Sequence, residues 1–457
     1  MKYLFAATLL MLVLLSAVAW MLKPKPTRDG KTVMLFLTDD NDIRREQVAL
    51  FNKLNPKLHL DVDPGASDMT KVVVQCLGGV GPDLFMAYNG LELSNFVKAG
   101  IVWDLTDELS KLGLDIDKDV WRAADACYRY EGRLYGFPKN VCTDAVWYNK
   151  AMFDAQGLPY PKGPWTWEQF MTVARKLTLR DARGRVTQYG FMLNWPQGEG
   201  GPWMHFMRQW GGSVYSKGGT HCTLDRPESI AAIQFMQDLI YKYRVIPTPG
   251  EEQSLTAAGG SWGSSASLSL FAGGRAAMAL GGNYWQVKLK DYPHLRLGAV
   301  ESPHGPQRVY CGYGTAVLIN KSSPRRGEAL EFIKFLAGRP YNDLVNAQAD
   351  GLGPIKQYCY GDAYLKNIRF HNDGNEVWRD VMQFGVPDQE SPFINGMAAS
   401  IIIYDQIDLV RNNNKTAAKA MRDAAVKIDA EIQKTLQREP DLRPKYEAAL
   451  RKEAQER

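Results

Sequence analysis

Beyond residue 30 the chain passes again and again from a short apolar run, through a polar joint, into a segment with helical spacing. That alternation restricts it to α/β construction. TVMLFL at 32 to 37 is a continuous apolar run of buried-strand type. The polar TDDND follows, and Ile43 to Leu54 then carries apolar residues at helical spacing. LHLDV at 58 to 62 alternates as a half-buried strand does, and PDLFMAYNG at 82 to 90 reads as another strand whose end opens into polar and aromatic residues. In open α/β sheets ligands bind beyond the carboxyl ends of strands, where loops and helix N-termini present free backbone donors.

The pattern continues downstream. YEGRLYGFP at 130 to 138 predicts a hairpin turning near Glu131-Gly132, followed by the strand-like DAVWYNK. WTWEQFMTVARKL at 165 to 177 predicts an amphipathic helix opened by Thr166, with Gln169 three residues on to complete a capping box. GTAVLIN at 314 to 320 is a buried strand, RRGEALEFIKFLAG at 325 to 338 a helix ended by its glycine, and 415 to 437 a long mixed-charge helix. The last twenty residues are charged and contain Pro440 and Pro444, so they are expected as a solvated tail or a surface helix.

Composition excludes some partners. Lys and Arg exceed Asp and Glu by only five and are interleaved with them, which argues against nucleic acid. A chain of 457 residues, 45% hydrophobic, is long enough for two domains or more. The six cysteines contain no C-x-x-C and the six histidines are isolated, without H-E-x-x-H, so neither a bound metal nor a cofactor is expected. Residues 3 to 22 carry no charge, which fits an export signal or a membrane anchor. Ala17-Val18-Ala19 has the small-x-small form of a cleavage site, and Lys23, Lys25, Arg28 and Lys31 behind the apolar run argue against an uncleaved anchor with the bulk outside. No Cys precedes Cys76, so a lipid-attached cysteine is not expected.

Five stretches, taken in order, resemble the family 1 extracellular solute-binding proteins of bacterial ABC importers, the group of maltodextrin-binding and other sugar-binding proteins. They are FNKLNPKLHLDV; GPDLFMAYNGLELSNFVKAGIVWDLTDEL; YEGRLYGFPKN with VWYNKAMFDAQGLPYPKGPWTWEQF; LFAGGRAAMALGGNYW; and YGTAVLINKSSPRRGEALEFIKFLAG. The resemblance covers about residues 30 to 437. It implies a two-lobed periplasmic-binding-protein fold with discontinuous lobes and a central ligand cleft. Lobe 1 would take 30 to 140 and 308 to 358, and lobe 2 would take 145 to 303 and 365 to 437, with 438 to 457 as the charged tail. Crossings are expected near Pro138 to Thr143, Ser302 to Tyr310 and Pro354 to Tyr364. The implied protein is an exported, extracytoplasmic monomer, free in the periplasm or anchored by residues 3 to 22. It would deliver a small solute, a carbohydrate in the first instance, to ABC permease transmembrane subunits and leave it chemically unchanged.

The candidate ligand contacts follow from strand ends and sugar chemistry. A sugar ring offers a C–H face that packs on an aromatic ring, and edge hydroxyls that require polar side chains. Trp285 and Tyr284, after a small-residue strand at Arg275 to Leu280 and the pair Gly281-Gly282, suit the first need. Asp39, Asp40 and Asn41, with Tyr88 and Asn89, suit the second; Trp195 and Tyr313 are further candidates, and Glu199 and Trp203 weaker ones. Trp165 and Trp167 are assigned to packing. Asp39-Asp40 also reads as the cap of the helix that follows. FINGMAAS at 393 to 400 supplies only Phe393 where maltodextrin-type members offer another stacking aromatic, which argues against a long oligosaccharide.

Rival readings are defined by other features. Gly259-Gly260-Ser261-Trp262-Gly263 fits the G-x-S-x-G of an exported hydrolase, but the polar EEQSLTAAG before it is no buried strand. A glycosidase would need a second carboxylate across the cleft from Asp39 or Asp40. The same cleft would also accept a polyamine, a glycerophosphodiester or a peptide, or its closure would be read by a membrane sensor.

Overall fold

The structure is a computed structural model that describes Met11, Leu15 and residues 27–65, 69–193, 202–257, 266–366, 374–387 and 389–456. The apolar N-terminal segment, apart from Met11 and Leu15, lies outside these residues, as do Trp195, Glu199 and the G-x-S-x-G match at 259 to 263. Among the described residues no helix is long and apolar enough to cross a membrane.

Seven strands organise the molecule: β1 (Lys31–Leu37), β2 (Leu58–Asp63), β3 (Leu84–Ala87), β4 (Gly136–Asn149), β5 (Met278–Gly282), β6 (Leu297–Val300) and β7 (Tyr310–Ile319). β1 pairs in parallel with β2 and β3, as strands joined by crossover helices do. β3 pairs antiparallel with β7, and β7 with the first half of β4. The second half of β4 pairs antiparallel with β5 and β6. β4 is therefore one fourteen-residue strand serving two sheet regions. Its sequence, GFPKNVCTDAVWYN, is covered along almost its whole length, polar residues included.

The helices that place the site are α1 (Asp42–Leu54), α2 (Gly90–Lys98), α3 (Trp167–Leu177), α4 (Pro202–Gln209), α5 (Arg339–Gln348), α6 (Gly396–Arg411), α7 (Ala417–Arg438) and α8 (Arg443–Gln455). The capping box at Thr166 and Gln169 is present at the start of α3. The hairpin turns at Glu131-Gly132, with φ of 49° and 80°, values that suit a primed turn.

Two large apolar cores lie on either side of the crossing strands. One draws on residues between Met34 and Val141 and again between Ala316 and Met382. Its centre is aromatic: Phe332 sits 5.3 Å from Phe36 and 5.1 Å from Phe51, edge-on to the latter. The other draws on residues between Val146 and Cys311 and again between Phe393 and Leu436, so each core is assembled from separated pieces of chain. Trp165 and Trp167 are buried here, and the Trp167 ring stacks on Phe206 at 4.6 Å. Each fully buried aromatic or large aliphatic side chain contributes about 1.5 to 3 kcal/mol.

The charged C-terminus is a helix docked on the second core. Tyr446 and Ala449 of α8 pack against that core, Tyr446 meeting Phe393 edge-on at 5.1 Å. Phe393 is thereby buried and is no stacking platform for a ligand.

Candidate functional site: the cleft between the two cores

On the first-core side, β1 ends at Leu37 and the chain turns into α1 through Thr38, Asp39, Asp40 and Asn41. Asn41 caps α1, its side chain accepting from the Arg44 amide at 2.8 Å. Neither aspartate is the cap. Asp39 instead faces Arg44, whose guanidinium nitrogen lies 3.4 Å from it and 3.5 Å from Asp350 just beyond α5. Lys139 reaches Asp350 from the other side at 3.6 Å. Lys139 gets there by a bulge in β4: Thr315 opposes Asn140 and Ala316 opposes Pro138, so Lys139 is the extra residue, its side chain re-aimed.

Burial alone would raise the Asp39 carboxyl, but Lys139 and Arg44 outweigh it and hold it at about 2. The group is two buried cations on two partly buried carboxylates, balanced in charge. Tyr88, 36% exposed, stands beside it at the end of β3, within the field of Asp39, Arg44 and Asp350.

The second side is built around the middle of β4. Asp144 accepts a hydrogen bond from the Tyr313 hydroxyl of β7 at 2.8 Å. Burial raises its carboxyl from 3.8 to about 6, the Tyr313 hydrogen bond only partly offsetting it. Tyr284 lies against the same group, next to Tyr313. Cys142, two residues before Asp144 and so on the same face of β4, joins the two sides, since Asp350, Lys139 and Asp144 all act on it. Gly351, at φ +113°, comes so close that a side chain there would meet Cys142 Sγ at 3.0 Å.

One expected contact is corrected, and two others have partners of their own. Trp285 does not form a wall of the cleft: it is fully buried in a small core with Trp147 and Trp378, whose rings lie 4.6 Å apart. The strand is Met278–Gly282 and takes in the glycines, and a Cβ on Gly281 would stand 2.4 Å from the Trp285 ring. The glycine thus admits the tryptophan rather than a ligand. Asp40 is exposed and holds Arg45 through two hydrogen bonds of 2.7 and 3.0 Å. The Asn89 side chain caps α2, accepting from the Glu92 amide at 2.9 Å. Arg44, Lys139, Asp144 and Asp350 were not among the expected contacts. A signal was present for two of them, because Lys139 and Asp144 are the charged residues of a strand that is otherwise uncharged.

A space also lies between residues of the two sides. It has a volume of about 260 Å³, between the start of α2 and the hairpin on one side and α4 and α6 on the other. Trp203 lines it, 3% exposed, and its Nε1 has no hydrogen-bond partner among the described residues. Beside it Gly90 lets the Glu390 carboxylate come against the backbone, where any side chain on Gly90 would collide with it.

Residues 26–343 match the family model for bacterial extracellular solute-binding proteins, and the chain belongs to that family. It is 23% identical to the arabinooligosaccharide-binding protein of Bacillus subtilis (strain 168) over 361 residues, 76% of this chain and 78% of that one. It is 23% identical to the sn-glycerol-3-phosphate-binding periplasmic protein UgpB of Rhizobium meliloti (strain 1021) over 347 residues, covering 73% and 75% of the two chains. In fold it is similar to the ABC substrate-binding protein Lmo0181 from Listeria monocytogenes, solved in complex with cycloalternan. The TM-score is 0.72 at 23% identity, over 89% of this chain and 99% of that one. The fold is the two-lobed binding-protein fold.

Proposed function

We propose that the chain binds a sugar or small oligosaccharide in this cleft and passes it, chemically unchanged, to an ABC permease. A ligand held between two lobes makes its full contacts only when they close, so binding favours the closed form by its difference in affinity for the two. Asp39, Tyr88, Tyr284 and Tyr313 are the expected contacts that remain available, and Asp144 joins them. The observation that carries the reading is the charge balance. Arg44 and Lys139 are already paired with Asp39 and Asp350, which leaves acceptors and phenol rings facing the cleft. A neutral polyol fits that surface; a phosphate would have to compete for cations held by carboxylates. The relative that binds arabinooligosaccharides supports the choice, and the relative that binds sn-glycerol-3-phosphate names the competitor.

A thermal-shift screen with arabinose, maltose, glycerophosphocholine and spermidine tests it. A ligand at a hundred times its Kd stabilises by about 2.7 kcal/mol. A shift with glycerophosphocholine or spermidine alone overturns the sugar reading, and product formed from any stabilising ligand overturns the non-enzymatic one.

The lobes follow from the same reading: 30 to 140 with 308 to 358, and 145 to 303 with 365 to 437. Residues 1 to 22 would direct export. Mass spectrometry of the native protein decides its fate: a start at or near Trp20 supports cleavage, an intact N-terminus in the membrane fraction a tether.

A further inference from the structure

The two sides of the cleft also touch each other, through residues that line the space between them: Gly90 and Glu131 on the first side, Glu390 and Lys445 on the second. Each partner is fixed to its own side. The hairpin that carries Glu131 is held to the first core by Leu134, which is buried there and whose amide donates to Thr106 Oγ1 at 2.9 Å. Lys445 belongs to α8, which packs on the second core through Tyr446 and Ala449. The far end of α8 is tied down by Glu453, which accepts from the Gly218 amide and the Thr220 hydroxyl. Glu390 stands between two residues tied to the same loop: the Gln389 side chain accepts from the Val214 amide at 3.1 Å, and the Ser391 hydroxyl donates to the Gly219 carbonyl at 2.6 Å. The stretch from Val214 to Thr220 thus anchors both arms that reach across. One arm ends in the ion pair of Lys445 with Glu131. The other ends with the Glu390 carboxylate against Gly90, the first residue of α2, where the helix carries partial positive charge.

We propose that α8 and the segment from Gln389 to Ser391 form a clasp between the lobes, which favours the closed form before any solute arrives and so adjusts how tightly every solute is held. Neither contact survives separation of the sides, because each joins groups fixed to opposite ones. The apparent dissociation constant is the intrinsic one divided by the fraction of protein in the binding-competent form, so the clasp enters it without touching the solute. Its size is bounded. The Lys445 and Glu131 side chains are 46% and 49% exposed, and a pair so exposed changes an equilibrium by about fivefold at most, less as salt rises. α8 lies beyond residues 26–343, which match the family model, so membership of the family does not by itself imply the clasp. The inference rests on the closure of two lobes proposed above and not on which solute they hold, and its test therefore begins without one.

Small-angle scattering of the unliganded protein at low salt is the test. Lys445→Glu and Glu131→Lys should each raise the radius of gyration, and the two together, which restore the pair with its charges exchanged, should return it to the unmodified value. At about 1 M salt, where screening acts within roughly 3 Å, the differences between these variants should shrink. Gly90→Ala places a methyl group where the end of the Glu390 side chain lies, so it should also expand the particle, and it should add nothing in a Glu390→Ala background. For whichever of maltose, arabinose, glycerophosphocholine and spermidine binds, the Kd should rise about two- to fivefold in either charge variant. Scattering that neither charge variant alters, or an expansion that the exchanged pair does not reverse, overturns the clasp whatever solute binds. If neither sugar binds while the scattering changes and recovers as described, the sugar reading falls and the clasp stands.

Discussion

The two sides of the cleft are made rigid by different physics. The first is backed by ions: Arg44, buried, between Asp39 and Asp350, with Lys139 on the far side of Asp350. The second is backed by rings: Trp285, Trp147 and Trp378 lie under β4 and β5, and the Trp147 and Trp378 indoles donate to the carbonyls of Gly282 and Gly281. An ionic backing fixes charge as well as shape, so the first side presents carboxylates that are already neutralised. An apolar backing fixes shape alone, and Asp144 above it has a phenol for company and, among the described residues, no paired cation. The cleft therefore has one side whose electrostatics are set and one that responds to its surroundings.

Removing a support should break the comparison most sharply on the second side. Trp285→Ala is expected to cost about 3 to 5 kcal/mol of stability, because the indole is fully enclosed and Gly281 leaves no side chain to fill the space. Urea unfolding measures it. Affinity measured well below the unfolding transition should fall much less, and a large loss of affinity with little loss of stability would return Trp285 to the cleft.

The corresponding break on the first side is Arg44→Ala, which leaves Asp39 and Asp350 facing a void. A severed buried pair costs about 3 to 5 kcal/mol, and the lower end is expected since Asp39 is 38% exposed and can recover water. The Trp285 and Arg44 variants should separate by pH. The Asp39 carboxyl, held at about 2 by Lys139 and Arg44, contributes stability above its ordinary value of 3.8 that is lost as pH falls toward 2. The stability deficit of the Arg44 variant relative to the unmodified protein should therefore be full above about pH 4 and shrink as pH falls toward 2. The Trp285 variant should show only a uniform loss. A deficit for the Arg44 variant that stays constant between about pH 7 and 2, as for the Trp285 variant, would mean that the ionic backing sets no charge state.

How the sequence reads follows from the same contrast. The strands were legible because burial leaves a pattern, a continuous apolar run at 32 to 37 and an alternating one at 58 to 62, and both agree with β1 and β2 to within one residue. The capping box was legible because its spacing is local. The ionic side was not, since Arg44, Lys139 and Asp350 come from three distant segments that only the fold brings together. Trp285 was misread for a related reason: a glycine pair before an aromatic admits a ring from within as readily as a ligand from without, and sequence does not distinguish the two.

Asp144 sharpens the contrast at a smaller scale. Burial raises its carboxyl to about 6, so the folded protein binds an extra proton between about 4 and 6 and loses stability as pH rises through that window. Ligand binding should run the opposite way if a sugar hydroxyl donates to the carboxylate, affinity increasing as pH passes 6. At pH 5, one unit below, about a tenth of the groups are ionised, and affinity should be about tenfold weaker than at pH 8. Asp144→Asn should remove the pH dependence and weaken binding at pH 8 by about 1.5 to 3 kcal/mol, the range for a hydrogen bond to a charged group. Calorimetry at the two pH values checks both. A pH-independent affinity would place the ligand away from Asp144 and leave the first side to carry recognition.

The smallest effect concerns Asn89, between Tyr88 in the cleft and α2 behind it. Its side-chain oxygen is engaged with the Glu92 amide, and the Glu92 carboxylate reaches back to the Tyr88 amide at 2.8 Å, so the pair holds the first turn of α2. Asn89→Ala should cost about 1 kcal/mol of stability, the ordinary value of a lost cap. Asn89→Ser should restore most of it, since a hydroxyl caps as well as an amide does. A ligand that used the amide as a donor would lose affinity in both variants, because serine supplies the cap but is too short to reach where the amide nitrogen stood. Equal affinity in the serine variant, with stability recovered, assigns Asn89 to the helix. Lost affinity in both, with stability recovered only in one, would return it to the cleft and make the first side a source of hydrogen-bond donors as well as of paired charge.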